Sequence, residues 1–139
     1  MRVVLDTNVW LSGIFWRGEA YNLINYCFDK KIEIIISKDI LEEISIVLSR
    51  EEKFQKFMKN RKESIEDLMR TILSTSKLVE TKSKLEVVKD DPKDNIILEA
   101  ALDGKADFIV TYDSHLLNMI EFREIKLLSP EEFLKRIKK

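Results

Sequence analysis

The sequence predicts an α/β protein with a mainly parallel central sheet. Short apolar runs at 3–5 and 108–111 indicate buried strands, and the β-branched run at 32–36 indicates another. Longer segments with the apolar spacing of helices lie between these runs. Because strands that alternate with helices are typical of parallel sheets covered on both faces, we expect a three-layer α/β/α arrangement in a single domain over residues 1–139.

The remaining elements follow from spacing and from residues that begin or end helices. Ser37 is the predicted N-cap of the second helix. Asp91-Pro92 is typical of a helix start, and Gly104 is predicted to end that helix. Further strands are expected near 78–79, near 85–88 and over 125–128. Helices are expected at 19–29, 38–49, 51–60, 63–74, 92–103, 114–120 and 130–139.

Composition excludes several classes of protein. With 45% hydrophobic and 35% charged residues, the chain is typical of soluble globular proteins rather than disordered ones. No apolar run approaches the roughly 20 residues of a membrane span, and the N-terminus enters a strand at once, so no signal peptide is expected. Cys27 is the only cysteine, which excludes an intrachain disulfide and a Cys-rich zinc site. A reducing cytoplasm is the expected location.

The net charge of −1 does not indicate a nucleic-acid-binding protein, but the charges are unevenly distributed. Between positions 50 and 62, basic residues outnumber the acids Glu51 and Glu52. This basic stretch is a candidate contact for phosphates, and the simpler interpretation is a solvated helix surface. Its basic residues are Arg50, Lys53, Lys56, Lys59, Arg61 and Lys62.

Acids follow two of the predicted strands. Asp6 comes directly after the strand at 3–5, and Asp113 follows the strand at 108–111. Ligands of parallel α/β sheets bind outside the carboxyl ends of the strands, so the two acids predict a shared pocket that suits a hard divalent cation. Each acid also has a simpler interpretation. Asp6 could cap the turn after its strand, and Asp113 could cap the helix that begins at Ser114.

Two further acids lie on helix faces that are otherwise apolar. At 100° per residue, Glu43 falls inside the apolar arc of its helix, whereas Glu42 points the opposite way. Asp94 precedes Ile97 and Leu98 on one helical face. A carboxylate on such a face needs a partner or a metal, because unpaired burial is costly. The alternatives are a buried salt bridge for Glu43 and a favourable interaction with the helix dipole for Asp94.

Four clustered carboxylates repel one another unless cations neutralise them. Ligation by oxygen alone favours Mg²⁺ or Mn²⁺ over Zn²⁺. The single histidine, His115, lies two residues after Asp113. We interpret it as a surface residue, a phosphate contact or a proton carrier rather than as a metal ligand.

Together these segments resemble the PIN-domain ribonucleases, in order and spacing, across essentially the whole chain. Within that family the sequence is most similar to the VapC-type toxins of toxin–antitoxin systems. The resemblance implies a PIN-like, Rossmann-like fold. It rests on Asp6-Thr7-Asn8, Leu41-Glu42-Glu43-Ile44, Asp91-Pro92-Lys93-Asp94-Asn95 and Ile109-Val110-Thr111-Tyr112-Asp113.

The resemblance implies a catalytic metal site made of four acids, Asp6, Glu43, Asp94 and Asp113. It places supporting polar groups at Asn8 and Thr111. Many family members have another acid near the position of His115, so a fifth acidic ligand and a second metal ion are in doubt here. Glu42 replaces Glu43 if the helix phase is wrong by one residue.

The chemistry implied is hydrolysis of phosphodiester bonds in single-stranded RNA with one or two Mg²⁺ or Mn²⁺ ions, which activate water and stabilise charge on the phosphate. RNA contacts are expected from Trp16 or Tyr112 through base stacking and from the basic stretch, chiefly Arg50, Lys53, Lys56 and Lys59. The resemblance also implies a cognate antitoxin and a homodimer, and the lack of a long apolar run predicts no association with membranes. Segments 19–29 and 51–74 are candidates for the dimer interface, or simply for the core.

Other functions fit less well. A haloacid-dehalogenase-type phosphatase requires a second aspartate two residues after the first, where this chain has Asn8. A phospho-receiver domain requires an acidic pair before its first helix and a late lysine, and neither is convincing here. The serious alternative is a PIN-like module that binds RNA or protein with little or no nuclease activity. The presence of all four principal acids argues against a complete loss of the site.

Overall fold

The structure, a computed structural model, describes residues 1–85 and 91–138. Its strands are β1 (Arg2–Leu5), β2 (Glu33–Ser37), β3 (Lys77–Val79), β4 (Phe108–Val110), β5 (Glu121–Phe122) and β6 (Ile125–Leu128). Its helices are α1 (Thr7–Phe15), α2 (Glu19–Asp29), α3 (Lys38–Arg50), α4 (Glu52–Arg61), α5 (Ile65–Thr75), α6 (Pro92–Asp103), α7 (Ser114–Leu117) and α8 (Pro130–Ile137). No helix within these ranges has the length and apolar character needed to cross a membrane.

The strands form one sheet in the order β3-β2-β1-β4-β6-β5. All neighbouring pairs are parallel except β5 with β6, which are antiparallel. Helices flank the sheet, with α3 contacting α6 and α2 contacting α8. The predicted α/β class with a mainly parallel sheet is therefore confirmed.

The chain reverses its direction across the sheet beside β1. From β1 it moves to β2 and β3 on one side, and it later returns to β4 on the other side of β1. In open parallel sheets such a reversal leaves a crevice outside the carboxyl ends of the two central strands. The residues that follow β1 and β4 therefore face a common opening.

Most predicted elements lie within two residues of those observed. The helix predicted over 114–120 is shorter, because α7 ends at Leu117 and Ile120 adopts a left-handed φ of 65°. The strand predicted near 85–88 lies outside the described residues, apart from Leu85. Two elements were not predicted, the helix α1 and the two-residue strand β5.

The helix α1 was missed because Ser12-Gly13 is typical of a loop. In the structure Gly13 is buried within α1, where a Cβ would overlap the side chain of Ile24 on α2. Glycine therefore allows close packing of the two helices rather than a turn. Asp6 begins α1 as its N-cap, accepting a hydrogen bond from the Thr7 backbone.

The chain before α6 is held to that helix by two of its acids. Asp103 accepts hydrogen bonds from the backbone of Lys82 and from the backbone and hydroxyl of Ser83. Glu99, which is buried, accepts one from the Leu85 backbone. These bonds tie the incoming segment to α6, the helix whose first turn carries Asp94.

Candidate metal centre

The acids that follow β1 and β4 meet in an open cleft of about 390 Å³ at the carboxyl edge of the sheet. All four acids predicted as metal ligands line this cleft, and Asp91 and Glu51 line it as well. Its remaining lining residues are Thr7, Asn8, Val47, Lys93 and Tyr112. The sheet reversal thus places one cluster of carboxylates where the topology predicts a ligand.

Thr111 connects the acids of the two strands. Its hydroxyl donates to Asp6 Oδ2 at 2.7 Å and accepts from the Asp113 backbone at 2.9 Å. Thr111 is fully buried, so these bonds are shielded from water. The resemblance assigned Thr111 only a supporting polar role, and this bridge gives that role a physical form.

The carboxylate of Asp6 is fixed by hydrogen bonds but is largely removed from water, which disfavours its charge. Burial raises the pKa of Asp6 above its ordinary 3.8, while the hydrogen bonds from Thr111 and Thr7 lower it. The charges of Asp113 and Asp91 raise it further. Of these effects burial is the largest, so the ionised carboxylate is less stable here than in water, and a nearby cation would favour it.

The first turn of α6 contributes two acids. Asp91 is the N-cap and accepts from the Lys93 backbone at 3.0 Å, as predicted. Asp94 is only 5% exposed, and its Oδ2 has no hydrogen-bond partner among residues 1–85 and 91–138. Burial, then the charges of Asp113 and Asp91, raises the pKa of Asp94 to about 7.

Asp91, Asp94 and Asp113 form the tightest acidic group in the described structure. One carboxylate oxygen from each lies within 4.8 Å of the other two. Mg²⁺ and Ca²⁺ bind carboxylate oxygens at roughly 2.0–2.6 Å, so one ion between these oxygens is sterically reasonable. Asp94, a member of this group, also has a buried oxygen without a partner, which a cation would satisfy, and the residues therefore fit a divalent metal.

Asp91 is the member of this group that sequence reasoning missed. It was interpreted only as the N-cap of α6, and in the structure it is both that N-cap and a member of the acidic group. The signal was present in the sequence, because Asp91 and Asp94 occupy the N-cap and N3 positions of α6, whose side chains lie close together at a helix start.

Glu43 enters the cleft from α3. Its side chain is 17% exposed and its Oε1 lies 3.7 Å from Lys93 Nζ, whereas Glu42 is exposed to solvent and does not line the cleft. Burial raises the pKa of Glu43, and the nearby Lys93 charge opposes this. Helix phase thus correctly predicted that Glu43 and not Glu42 faces inward. In the structure Glu43 both lines the cleft and forms an ion pair, which was its alternative interpretation.

The other predicted site residues divide between the cleft and the remaining surface. Asn8 lines the cleft, and His115 is an exposed residue whose backbone donates to Asp113 Oδ1 at 2.8 Å. Tyr112 lines the cleft, but Trp16 packs edge-on against Phe54 and Phe57.

The basic stretch lies next to the cleft rather than within its lining. Arg50 ends α3, while Glu51, the next residue, lines the cleft. The three lysines predicted to contact RNA are exposed on α4: Lys53, Lys56 and Lys59. A role for them in RNA binding stays a prediction.

Replacing Thr111 with valine is expected to weaken divalent-cation binding about 10- to 100-fold, the usual cost of losing a group that orients metal ligands. Valine keeps the shape but removes the hydrogen bond that Thr111 donates to Asp6 Oδ2, so the pKa of Asp6 rises further and the fold loses about 1–3 kcal/mol. Calorimetric titration with Mn²⁺ and urea denaturation measure the two effects. Thr111→Ser keeps the hydroxyl and should bind Mn²⁺ nearly as tightly as the wild type. Equal Mn²⁺ affinity in all three proteins would contradict the role of the bridge.

Comparison with known proteins identifies the family. The PIN-domain model matches residues 2–115. The chain is also similar to a chain in the crystal structure of VapBC2 from Rickettsia felis bound to a DNA fragment from their promoter. The TM-score is 0.65 at 18% identity, covering 91% of this chain and 97% of that chain. No curated protein matches the sequence. At this identity the structural similarity shows the fold, while the family match spans most of the chain, which therefore belongs to the PIN-domain family.

Proposed function

We propose that this protein is a metal-dependent endoribonuclease that hydrolyses phosphodiester bonds in single-stranded RNA. The observation that carries the proposal is Asp94, a buried carboxylate with an unpartnered oxygen and a pKa raised to about 7. A buried acid among other acids destabilises a fold unless a counter-ion neutralises it, and such groups are concentrated at functional sites. Membership of the PIN-domain family supports nuclease activity as that function.

The metal would be held by Asp91, Asp94 and Asp113, with Asp6 and Glu43 on the adjoining walls of the cleft. A set of carboxylates alone suits Mg²⁺ or Mn²⁺. When bound, the ion lowers the pKa of a coordinated water and stabilises negative charge on the scissile phosphate. Asp91 supplies the additional acid that the sequence lacks at His115.

The protein's own residues hold the acids of the cleft in position. Thr111 holds the carboxylate of Asp6 and the backbone of Asp113 in fixed relation, because both bond to its hydroxyl. Hydrolysis by a water molecule requires no covalent protein nucleophile, and the carboxylates that line the cleft can hold the cation that would activate that water. The cleft is open, which suits an unpaired strand.

The same proposal extends to a toxin of a toxin–antitoxin pair. The support is the shared fold with a chain of a VapBC2 structure and the resemblance to VapC-type toxins. A small reading frame next to the gene, encoding a protein that binds this one, would support the antitoxin partner. A solitary gene would weaken the case for the toxin role and leave the nuclease role intact.

A homodimer belongs to this proposal as well. The two segments predicted as its interface each carry an exposed apolar side chain, Phe28 on α2 at 62% and Leu73 on α5 at 41%. Most of their other apolar side chains are buried in the core, including Leu23 and Ile72.

The test is cleavage of a mixed-sequence single-stranded RNA pool, comparing Glu43→Gln with Glu42→Gln. Glu43 lines the cleft outside the group of three acids, so its loss is expected to lower the Mn²⁺-dependent rate about 10- to 100-fold. Glu42 is the matched control, with the same substitution one residue away on the exposed face, and should cleave at the wild-type rate.

Two results would contradict the proposal. Cleavage that is unaffected by chelation of the metal would exclude metal dependence. Absence of cleavage by the wild type in both Mg²⁺ and Mn²⁺, with Mn²⁺ binding retained, would favour the binding module instead.

A further inference from the structure

The cleft that would receive RNA has an unfavourable charge for a polyanion. Six acids line it, and Lys93 is the one cation among the described residues of its lining. Tyr112 is likewise the one aromatic residue there. A divalent ion offsets part of the negative charge, but a substrate strand still needs contacts that attract its phosphates and bases.

Lys93 is placed to supply the phosphate contact. Its backbone is fixed, because its N–H donates to Asp91 Oδ1 at the start of α6. The Lys93 side chain is 70% exposed and its Nζ lies 3.7 Å from Oε1 of Glu43, whose side chain is 17% exposed. The lysine end of this pair is in solvent, so water competes for the ammonium and it can turn from Glu43 to a phosphate without a change in the fold of α6.

Tyr112 is placed to supply the base contact. Its side chain is 48% exposed, although the residue before it is fully buried and the residue after it belongs to the acidic group. The hydroxyl of Thr111 bonds the backbone of Asp113, which fixes the chain on both sides of the tyrosine. Exposed aromatic rings beside a nuclease cleft act as stacking platforms that accept every base.

Trp16, the other aromatic residue considered for stacking, is less suitable. Its ring packs edge-on against Phe54 and Phe57, and it does not line the cleft. The lysines of α4 are outside the lining too. The contacts nearest the acids therefore come from α6 and from the segment after β4.

We propose that Lys93 and Tyr112 are the substrate-recognition residues of the cleft, with Lys93 bound to a phosphate beside the scissile bond and Tyr112 stacked on a base of the same single-stranded RNA. This inference rests on the proposed nuclease function and adds the residues that hold its substrate. It predicts a contact without sequence preference, since neither a phosphate nor a stacked ring distinguishes the bases.

The test measures binding and cleavage separately in the full chain. Binding is followed by fluorescence anisotropy of a labelled mixed-sequence single-stranded RNA, with Ca²⁺ in place of Mg²⁺. Lys93→Gln should raise Kd roughly tenfold and reduce the slope of log Kd against log salt by about 0.7, the amount for one phosphate contact on a single strand. Tyr112→Ala should raise Kd about 5- to 150-fold, whereas Tyr112→Phe should bind as the wild type does.

Lys135→Gln is the matched control for Lys93. Lys135 is 74% exposed and pairs with Glu131 at 3.2 Å on α8, so the substitution removes a similar ion pair away from the cleft. It should change neither Kd nor the salt slope. In cleavage assays with Mn²⁺, Lys93→Gln and Tyr112→Ala should raise KM more than they lower kcat.

The outcomes separate this inference from the proposed function. A wild type that cleaves RNA, with Lys93→Gln and Tyr112→Ala binding as tightly as Lys135→Gln, would overturn the recognition pair and leave the nuclease intact. A fall in kcat at unchanged KM would also overturn it, since the residues would then act on the chemistry. A wild type that neither binds nor cleaves RNA would overturn both.

Discussion

Asp94→Asn is expected to remove metal-dependent RNA cleavage, lowering the rate roughly a thousandfold or more. A metal ion supplies several kcal/mol of charge stabilisation in the transition state, and each 1.36 kcal/mol is about a factor of ten in rate. Asp94 is buried, one of its carboxylate oxygens lies within 4.8 Å of those of Asp91 and Asp113, and asparagine keeps its size while removing the charge that would hold the cation. The measurement is the Mn²⁺-dependent rate on the RNA pool, together with Mn²⁺ affinity by calorimetry.

The same substitution is expected to stabilise the metal-free protein at neutral and alkaline pH. Burial raises the pKa of Asp94 to about 7 in the folded state, against 3.8 ordinarily. Between these values the folded protein holds a proton that the unfolded chain releases, so the free energy of unfolding falls as pH rises, by up to about 1.4 kcal/mol per unit. Asparagine carries no such charge. At pH 8 the variant should be more stable by an amount on the order of 2–4 kcal/mol, and near pH 4 the difference should largely vanish.

Urea denaturation in a chelator at several pH values measures this difference, and added Mg²⁺ provides a second test. Mg²⁺ at about 100 times its Kd should stabilise the wild type by about 2.7 kcal/mol and the variant hardly at all. Asp39→Asn is the control, because Asp39 also lies in the first turn of a helix, α3, but does not line the cleft. Cleavage by Asp94→Asn at the wild-type rate would contradict the proposed site, and a stability difference independent of pH would contradict the assigned cause.

Three of the acids in the cleft could be predicted from the sequence because each stands out in its local pattern. Glu43 was distinguished from Glu42 by helix phase alone, since a charged side chain on an apolar face has few structural reasons to be there. Asp6 and Asp113 followed from the rule that parallel sheets bind ligands at their carboxyl ends. In each case a local pattern and a general rule indicated the same edge of the sheet.

What the sequence did not predict depended on packing between distant elements. Asp91 had a sufficient local role as an N-cap, so nothing in its surroundings required a second one. Gly13 suggested a loop because its contact with Ile24 on the next helix cannot be predicted from the spacing of apolar residues. Lys93 as the partner of Glu43 also could not be foreseen, because the pair depends on the distance between α3 and α6. Local sequence patterns predict where the helices and strands lie, whereas the role of a side chain depends on its contacts with other helices and strands.

Phe133→Ala is expected to destabilise the protein by about 3–5 kcal/mol, a large part of the roughly 5–15 kcal/mol that stabilises a typical domain. Phe133 on α8 is fully buried, and its ring packs edge-on against Phe108 of β4 at 5.5 Å. Truncation leaves a cavity against the strand that leads to Thr111 and Asp113. Urea denaturation and thermal melting measure the loss.

Leu78→Ala is the control, because Leu78 on β3 is 53% exposed and lies outside the two segments predicted as the dimer interface, so truncation to alanine there should change stability by no more than about 0.5 kcal/mol. The comparison also tests whether residues 1–139 form one domain. The PIN-domain match ends at residue 115, whereas Phe133 lies beyond it and packs on a strand within it. If α8 were a separate appendage, Phe133→Ala would leave the main unfolding transition unchanged. If α8 belongs to the folding unit, the whole transition shifts, and cleavage at a temperature near the new midpoint falls in proportion to the folded fraction.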